Sequence, residues 1–228
     1  MWELRSQPFP HKLTNVEKQS LPSTGSVTDL GIVYDCNLTF SMHTDKLVSK
    51  ASLRSKLILK CFTSRNPELL IKAFITFVRP ILEYGCVVWS PYLKYDILKI
   101  ERVQKYFTKQ LKGMYYLSYV DRLELLNLCS LEIRRIKNDL IMCSKVLKSL
   151  VDVNVVDFFI LSGVTLTRGN SLKLKKSCVA NVSSSSLFHN RVINIWNALP
   201  DDIVCRATVK CFKERLAHFD PSSFTKLY

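Results

Sequence analysis

Glycine is scarce in this chain, at 6 of 228 residues, which argues against a low-complexity or linker-like polypeptide. No uninterrupted apolar run is long enough to span a bilayer. The opening stretch Met1-Trp2-Glu3-Leu4-Arg5-Ser6-Gln7-Pro8 lacks the basic start and apolar core of a signal peptide. A soluble intracellular protein, nuclear or cytoplasmic and without a membrane partner, is the expectation. The eight cysteines include no Cys-x-x-Cys pair, and histidine occurs only at 11, 43, 189 and 218. Zinc-ligand spacing is therefore absent. Most cysteines lie among apolar neighbours, as Cys61 does beside Leu59 and Phe62, so buried reduced thiols are expected in place of a disulfide framework.

Several chemistries are missing as well. There is no Gly-x-x-x-x-Gly-Lys phosphate loop and no Gly-x-Ser-x-Gly nucleophile turn. His189 stands next to Asn190 and Arg191 without a carboxylate cluster around it in sequence, so an acid–base role is not assigned to it. No metal site and no cofactor is expected.

What is present is a large apolar fraction, 47% of the residues, in a chain long enough for one large domain or two small ones with a substantial core. The 33 Lys plus Arg outnumber the 19 Asp plus Glu, leaving +14. Such a field attracts phosphates, and nucleic acid is the leading partner class. The charge is uneven: no acidic residue occurs between Asp157 and Asp201.

Residues 1–28 carry Pro8, Pro10, Pro22 and Gly25 without periodicity and read as a loose lead-in. Leu30-Gly31-Ile32-Val33-Tyr34 suggests one short strand with a turn after it at Asp35 and Asn37. From Asp45 to Phe62, Leu47, Ala51, Ile58 and Phe62 share one side of a predicted helix, and Lys46, Lys50 and Arg54 recur every four residues on another. Asn66 and Pro67 are suited to cap and begin a second helix through Leu70, Phe74 and Phe77, which Pro80 should stop or kink. Leu93 to Leu111 places Ile97, Ile100, Phe107 and Leu111 on one face, with Lys99, Arg102, Lys105, Lys109 and Lys112 supplying charge elsewhere.

A shorter helix from Tyr119 to Leu128 should precede a longer one capped by Ser130 and running to about Leu150. Thr165 to Lys176 reads as extended or looped, with Leu172-Lys173-Leu174-Lys175 alternating as in a short strand, and Ser183 to Ser186 as a polar linker or helix entry. Two terminal helices follow, one through Val192 and Trp196 and one through Val209, Phe212, Leu216 and Phe219. The expected fold is mainly α, with a short N-terminal β element and a smaller helical C-terminal region holding an extended basic segment. Its segments are 1–28, 29–113, a helical connector at 114–160, and 161–228. Trp89 and Trp196 are assigned to the core, and core packing is also preferred for the tyrosines 115, 116 and 119 over stacking on bases or sugar.

An ordered set of phrases adds a resemblance. It runs Asp29-Leu30-Gly31-Ile32, then Val78-Arg79-Pro80-Ile81-Leu82-Glu83-Tyr84-Gly85, Val88-Trp89-Ser90-Pro91 and Ile100-Glu101-Arg102-Val103-Gln104-Lys105, and closes with Arg191-Val192-Ile193-Asn194-Ile195-Trp196-Asn197-Ala198-Leu199-Pro200. Together these resemble the region after the palm in reverse transcriptases of jockey-like non-LTR retrotransposons, over residues 29 to 219. The resemblance implies that residues 43–112 correspond to a helical thumb that holds template and primer. That stretch has 14 Lys plus Arg against 5 Asp plus Glu, a net of +9.

The same resemblance exposes a missing part. Polymerases of that kind set an aromatic-x-Asp-Asp turn and a further aspartate around two divalent metals, and no such turn occurs here. The single Asp-Asp pair, Asp201-Asp202, follows Leu199-Pro200 far downstream and suits the start of a helix. The expectation is a noncatalytic fragment of an RNA-directed DNA polymerase, not itself an enzyme, that binds RNA, DNA or an RNA–DNA hybrid through the phosphate backbone. Lys46, Lys50, Arg54, Lys99, Arg102, Lys105, Lys109 and Lys112 are its candidate contacts. The rival readings are a helical protein–protein adaptor, which would pack against a partner or self-associate, and a degenerate retroelement product without function.

Overall fold

The computed structural model describes residues 24–162, 172–176, 185–205 and 208–226. The lead-in up to residue 23, residues 165–171 of the extended reading, Ser183 and Ser184 of the serine segment, and Cys178 lie outside them. The fold is mainly α, with one two-stranded antiparallel sheet near the N-terminus.

That sheet is a hairpin of β1 (Ser26–Asp29) and β2 (Ile32–Asp35), with Asp29 opposite Ile32 and Ser26 opposite Asp35. Leu30 and Gly31 are its turn, with φ of 47° and 79°. Two consecutive positive φ values match the twist of a two-residue hairpin, and glycine takes one of them without steric cost. Leu30-Gly31 therefore belongs to the turn and not to the strand, and the partner strand begins inside the segment read as lead-in. The turn expected at Asp35 also forms. Its carboxylate accepts the N–H groups of Asn37, Thr39 and Phe40 and the Thr39 hydroxyl. Burial raises the Asp35 pKa, but these bonds to the charged form outweigh it and hold the group below the usual aspartate value.

The turn feeds α1 (Ser41–Cys61), followed by α2 (Pro67–Phe77), α3 (Arg79–Glu83) and α4 (Cys86–Trp89). Asn66 caps α2 by accepting the Glu68 N–H at 2.8 Å, and Pro67 occupies the first turn, where its missing donor costs nothing. The expected break at Pro80 is present: α2 ends at Phe77, and the proline sits in the first turn of α3. A second reversal follows at Gly85, where φ is +62° and an added Cβ would stand 2.9 Å from Ile32 Cδ1. The left-handed backbone favours glycine there, and an added Cβ would also have to displace the tip of Ile32.

These reversals bring α5 (Lys94–Lys109) back alongside α1. A first core forms around Phe74, Phe107, Trp89, Ala51, Leu82 and Ile100, with the Phe74 and Phe107 rings 4.7 Å apart. The Trp89 indole is fully buried, donates to the Tyr84 carbonyl at 2.7 Å, and takes the His43 ring on edge.

Beyond α6 (Tyr119–Leu125), closed by a Ser118/Asp121 capping box, α7 (Leu131–Leu147) is the element shared by both halves. Its Leu131 belongs to the first core and its Leu140, Cys143 and Val146 to the second. After α8 (Val155–Phe158), the second core is completed by α9 (Phe188–Ala198), α10 (Asp201–Val204) and α11 (Val209–Ala217), with a 3-10 turn at Ser222–Phe224. Trp196 is fully buried and stacks on Phe212 at 6.0 Å. The segment 172–176 is extended as expected: Leu174 bridges Leu161 on one side. On its other side Asn197 acts as a surrogate strand, accepting the Leu174 N–H and donating to the Leu174 carbonyl, both at 2.8 Å. Asp201 and Asp202 begin α10, the helix start expected of them.

Two further expectations fail. Tyr119 is buried, but Tyr115 is 59% and Tyr116 94% exposed, because both lie in the loop between α5 and α6, outside either core. Of the seven described cysteines only Cys86 and Cys143 are buried. Cys61, the last residue of α1, stands about 200° round the helix from the partly buried Leu59, and the chain leaves the helix at Phe62, so Cys61 stays at the surface. No disulfide forms among the described residues. Among them, too, no helix is long and apolar enough to cross a membrane.

Candidate nucleic-acid interface

The outward face of α5 repeats at helical spacing. Tyr95, Lys99, Arg102, Tyr106 and Lys109 succeed one another every three or four residues, so they form one stripe. The opposite face carries Ile97, Ile100, Gln104 and Phe107, all buried. Burying that face fixes the stripe outward, and the same packing places α5 next to α1.

The groove between the two helices is lined by Val48, Ser52, Lys56, Lys99, Arg102 and Tyr106. It continues past Lys60, Arg65 and Gln110. Its walls are thus basic on both sides, with an aromatic ring, Tyr106, 48% exposed between them. Arg65 is steadied by a hydrogen bond to the Leu59 carbonyl at 2.6 Å.

The eight sequence-predicted residues divide into five groups. Lys46, Lys50 and Arg54 are exposed, as expected, but at 100° per residue they fall on the flank of α1 away from Ser52 and Lys56. The groove takes Lys56 and Lys60 from α1 in their place. Lys99 lines the groove but is committed internally, held by Asp45 and by Asp96, the latter at 3.4 Å. The Asp45 hydrogen bond, partly opposed by burial, lifts its pKa above the ordinary lysine value. Arg102 lies in the groove and is exposed.

Lys105 and Lys109 lean the other way, over the rings of Tyr119 at 5.8 Å and Tyr115 at 4.6 Å. Lys112 lies beyond the end of α5 in an exposed turn. The structure therefore brings Lys99, Arg102, Lys105 and Lys109 onto one helix and leaves Lys46, Lys50 and Arg54 apart from them.

Sequence reasoning missed Lys56, Lys60, Arg65, Tyr95 and Tyr106. The signal for the tyrosines was available in their spacing with Lys99, Arg102 and Lys109. Lys56 and Lys60 belong to the groove only because of where α5 docks, which no periodicity in α1 encodes.

The inner side of α5 is polar at one point and explains how the stripe is anchored. Glu101 is buried, and its carboxylate accepts the Leu131 N–H at the start of α7 along with the Tyr119 hydroxyl. Desolvation pushes the Glu101 pKa up, while the Tyr119 bond, Arg135 and the helix N–H groups pull it back. Gln104 donates to the Tyr119 oxygen and the Cys129 carbonyl, both at 3.0 Å. A helix fastened this way cannot rotate its outward stripe inward without orphaning a buried carboxylate.

Among the described residues no group of three or more His, Cys, Asp or Glu side chains could hold a metal ion. Comparison with known proteins adds little. No family model matches the chain, and no solved structure does. An uncharacterized protein of Caenorhabditis elegans is similar, 34% identical over 113 residues, which are 48% of this chain and 57% of that protein.

Proposed function

We propose that this chain is a noncatalytic, post-palm fragment of a retrotransposon RNA-directed DNA polymerase that binds the backbone of RNA, DNA or their hybrid without marked sequence preference. The observation that carries the reading is the α1–α5 groove, where Lys56, Lys60, Arg65 and Arg102 surround an exposed Tyr106. Long cations neutralise phosphates, and an aromatic face accepts any base or sugar. Support also comes from the phrases that suggested the family. Several of their residues perform framework work in this fold: Gly85 at the reversal, Trp89 in the first core, Glu101 and Gln104 behind α5, and Asn197 against Leu174.

The test is titration of an RNA–DNA hybrid at several salt concentrations with the full chain and with Lys56→Gln, Arg102→Gln and Lys109→Gln. Each side chain that meets a phosphate lowers the salt slope by about 1 when neutralised, and the loss is similar for unrelated hybrid sequences. Lys50→Gln, on the other flank of α1, leaves the slope unchanged. Circular dichroism first establishes that helix content is retained, since these stems also cover apolar surface. A folded Lys56/Arg102 double variant with unchanged affinity and slope refutes the groove and favours the adaptor reading, whose apolar interface would be insensitive to salt.

A further inference from the structure

The link between α5 and α6 is fastened on both sides of its tip. Leu111 is buried, Met114 packs against the first core, and Tyr119, at the start of α6, is buried and bonded to Glu101. Gly113, with φ of +81°, turns the backbone, and the Leu117 N–H returns to the Met114 carbonyl at 3.4 Å. Tyr115 and Tyr116 are therefore the two central residues of a β-turn. The framework on either side of that turn presents them to solvent.

The two rings meet edge-on, with centroids 5.1 Å apart. Lys109 stands over Tyr115, 4.6 Å from its centre, and braces it from the end of α5. Tyr116 is left 94% exposed, an aromatic ring in a fixed position with its faces open.

The charge around this turn has one sign. No acidic residue occurs between Glu101 and Asp121, whereas Arg102, Lys105, Lys109 and Lys112 all fall in that interval. The outward stripe of α5 leads up to it with two more exposed rings, Tyr106 and Tyr95, the latter with the Lys99 ammonium 4.2 Å from its centre. From Tyr95 to Lys109 the helix rises about 21 Å. At roughly 3.4 Å per nucleotide, that is the length of about six nucleotides of one strand.

We infer that the Tyr115–Tyr116 turn is a stacking platform, and that this surface takes an unpaired polynucleotide strand, held by its bases as well as by its phosphates. Within a duplex both faces of each base are covered by neighbouring bases, so an exposed ring gains nothing except at an end. In a single strand a base can leave its neighbours and lie on Tyr116, and every base offers the π-face this requires. A carboxylate-rich peptide would answer the same cations, but an anion finds no favourable contact with the negative face of an aromatic ring. The inference rests on the nucleic-acid reading and adds to it the kind of strand bound.

Fluorescence anisotropy with the full chain tests it, using four probes: a twelve-nucleotide oligothymidylate, a strand of twelve abasic sites with the same phosphates, a long duplex in which ends are few, and polyglutamate of matched charge. The oligothymidylate is expected to bind roughly tenfold more tightly than the abasic strand, the worth of one stacked base. Tyr116→Ser removes that advantage and leaves the affinities for the abasic strand and the duplex unchanged. It also leaves the salt slope unchanged, because no charge is lost. Tyr116→Phe keeps the affinity of the unaltered chain, since the ring face is retained. Equal affinity for oligothymidylate and the abasic strand overturns the platform and leaves the basic groove standing, as does a Tyr116→Ser variant with unaltered oligothymidylate binding. No binding of any of the three nucleic acids removes the nucleic-acid reading and the platform with it. Polyglutamate bound as tightly as oligothymidylate overturns the inference in favour of an acidic protein partner.

Discussion

Around the first core, between α1 and α5, cations stand at the surface; around the second, between α7 and α9, they are built into the framework. Lys56, Arg102 and Lys109 project from helices whose inner faces are filled by Ala51, Ile100 and Phe107, so their removal leaves the packing intact. Arg191 instead ties α9 to α7 and to α4 through three hydrogen bonds, and to the Ser186 carbonyl through a fourth, from a half-buried position. The formal charge of +14 counts both kinds equally. Only the first kind can be offered to a large polyanion, because Arg191 is already bonded to Asp139 and to two backbone carbonyls. Lys99 marks the boundary, placed with the surface set but held by Asp45 and Asp96.

The comparison can be broken most forcibly at Asp139. Asp139→Ala leaves the Arg191 guanidinium without its carboxylate in a buried site, and a loss of about 3–5 kcal/mol is expected. Urea unfolding measures it, and a loss no larger than that of a surface substitution would mean that the second core does not depend on its ion pair. Gly85→Ala comes next. A left-handed backbone and a Cβ forced against Ile32 should cost about 1–3 kcal/mol, read from the same transition and accompanied by loosening of the hairpin in amide exchange.

A smaller, pH-dependent effect is expected from His43, whose Nδ1 accepts the Val33 N–H at 3.3 Å beside Trp89. Burial, then the positive charge of Lys46, lowers its pKa below 6.5. The unfolded chain therefore takes up a proton that the native chain resists. Its contribution is complete above about pH 6.5 and is lost as the pH falls through the native value. His189, lowered in the same direction by burial and Arg191, adds to the trend. Unfolding midpoints at pH 7.5 and 5.5 should diverge less in His43→Gln than in the unaltered chain. The smallest effect sharpens the contrast: Arg102→Gln and Lys109→Gln should each change stability by no more than about 0.5 kcal/mol, while acting on the salt dependence of hybrid binding.

Much of the fold was legible because its signals are local. The Asn66-Pro67 start, the Ser130 cap and the break at Pro80 depend on donors and acceptors within a few residues of one another. The inward faces of α1, α5 and α9 follow from their apolar spacing, and Trp89 and Trp196 are buried as their size suggests. The hairpin was half legible. Gly31 signalled a turn, but Ser26–Asp29 carries one large apolar residue, Val27, at 59% exposure, and so has no alternating pattern to reveal it as a strand.

The candidate site was less legible than the fold. The sequence by itself determined that α5 has a basic outer face, because burial of Ile100 and Phe107 leaves Arg102 and Lys109 no inward alternative. Only the tertiary structure decided which flank of α1 joins it. The two reversals, at Val78–Pro80 and at Tyr84–Gly85, set the direction in which the chain returns, and a one-flank change in docking exchanges Lys46, Lys50 and Arg54 for Lys56 and Lys60. The same holds for the pair of Asp139 and Arg191, ordinary helix residues in sequence that are joined by the docking of α9 on α7, a meeting of segments 52 residues apart that no local periodicity records.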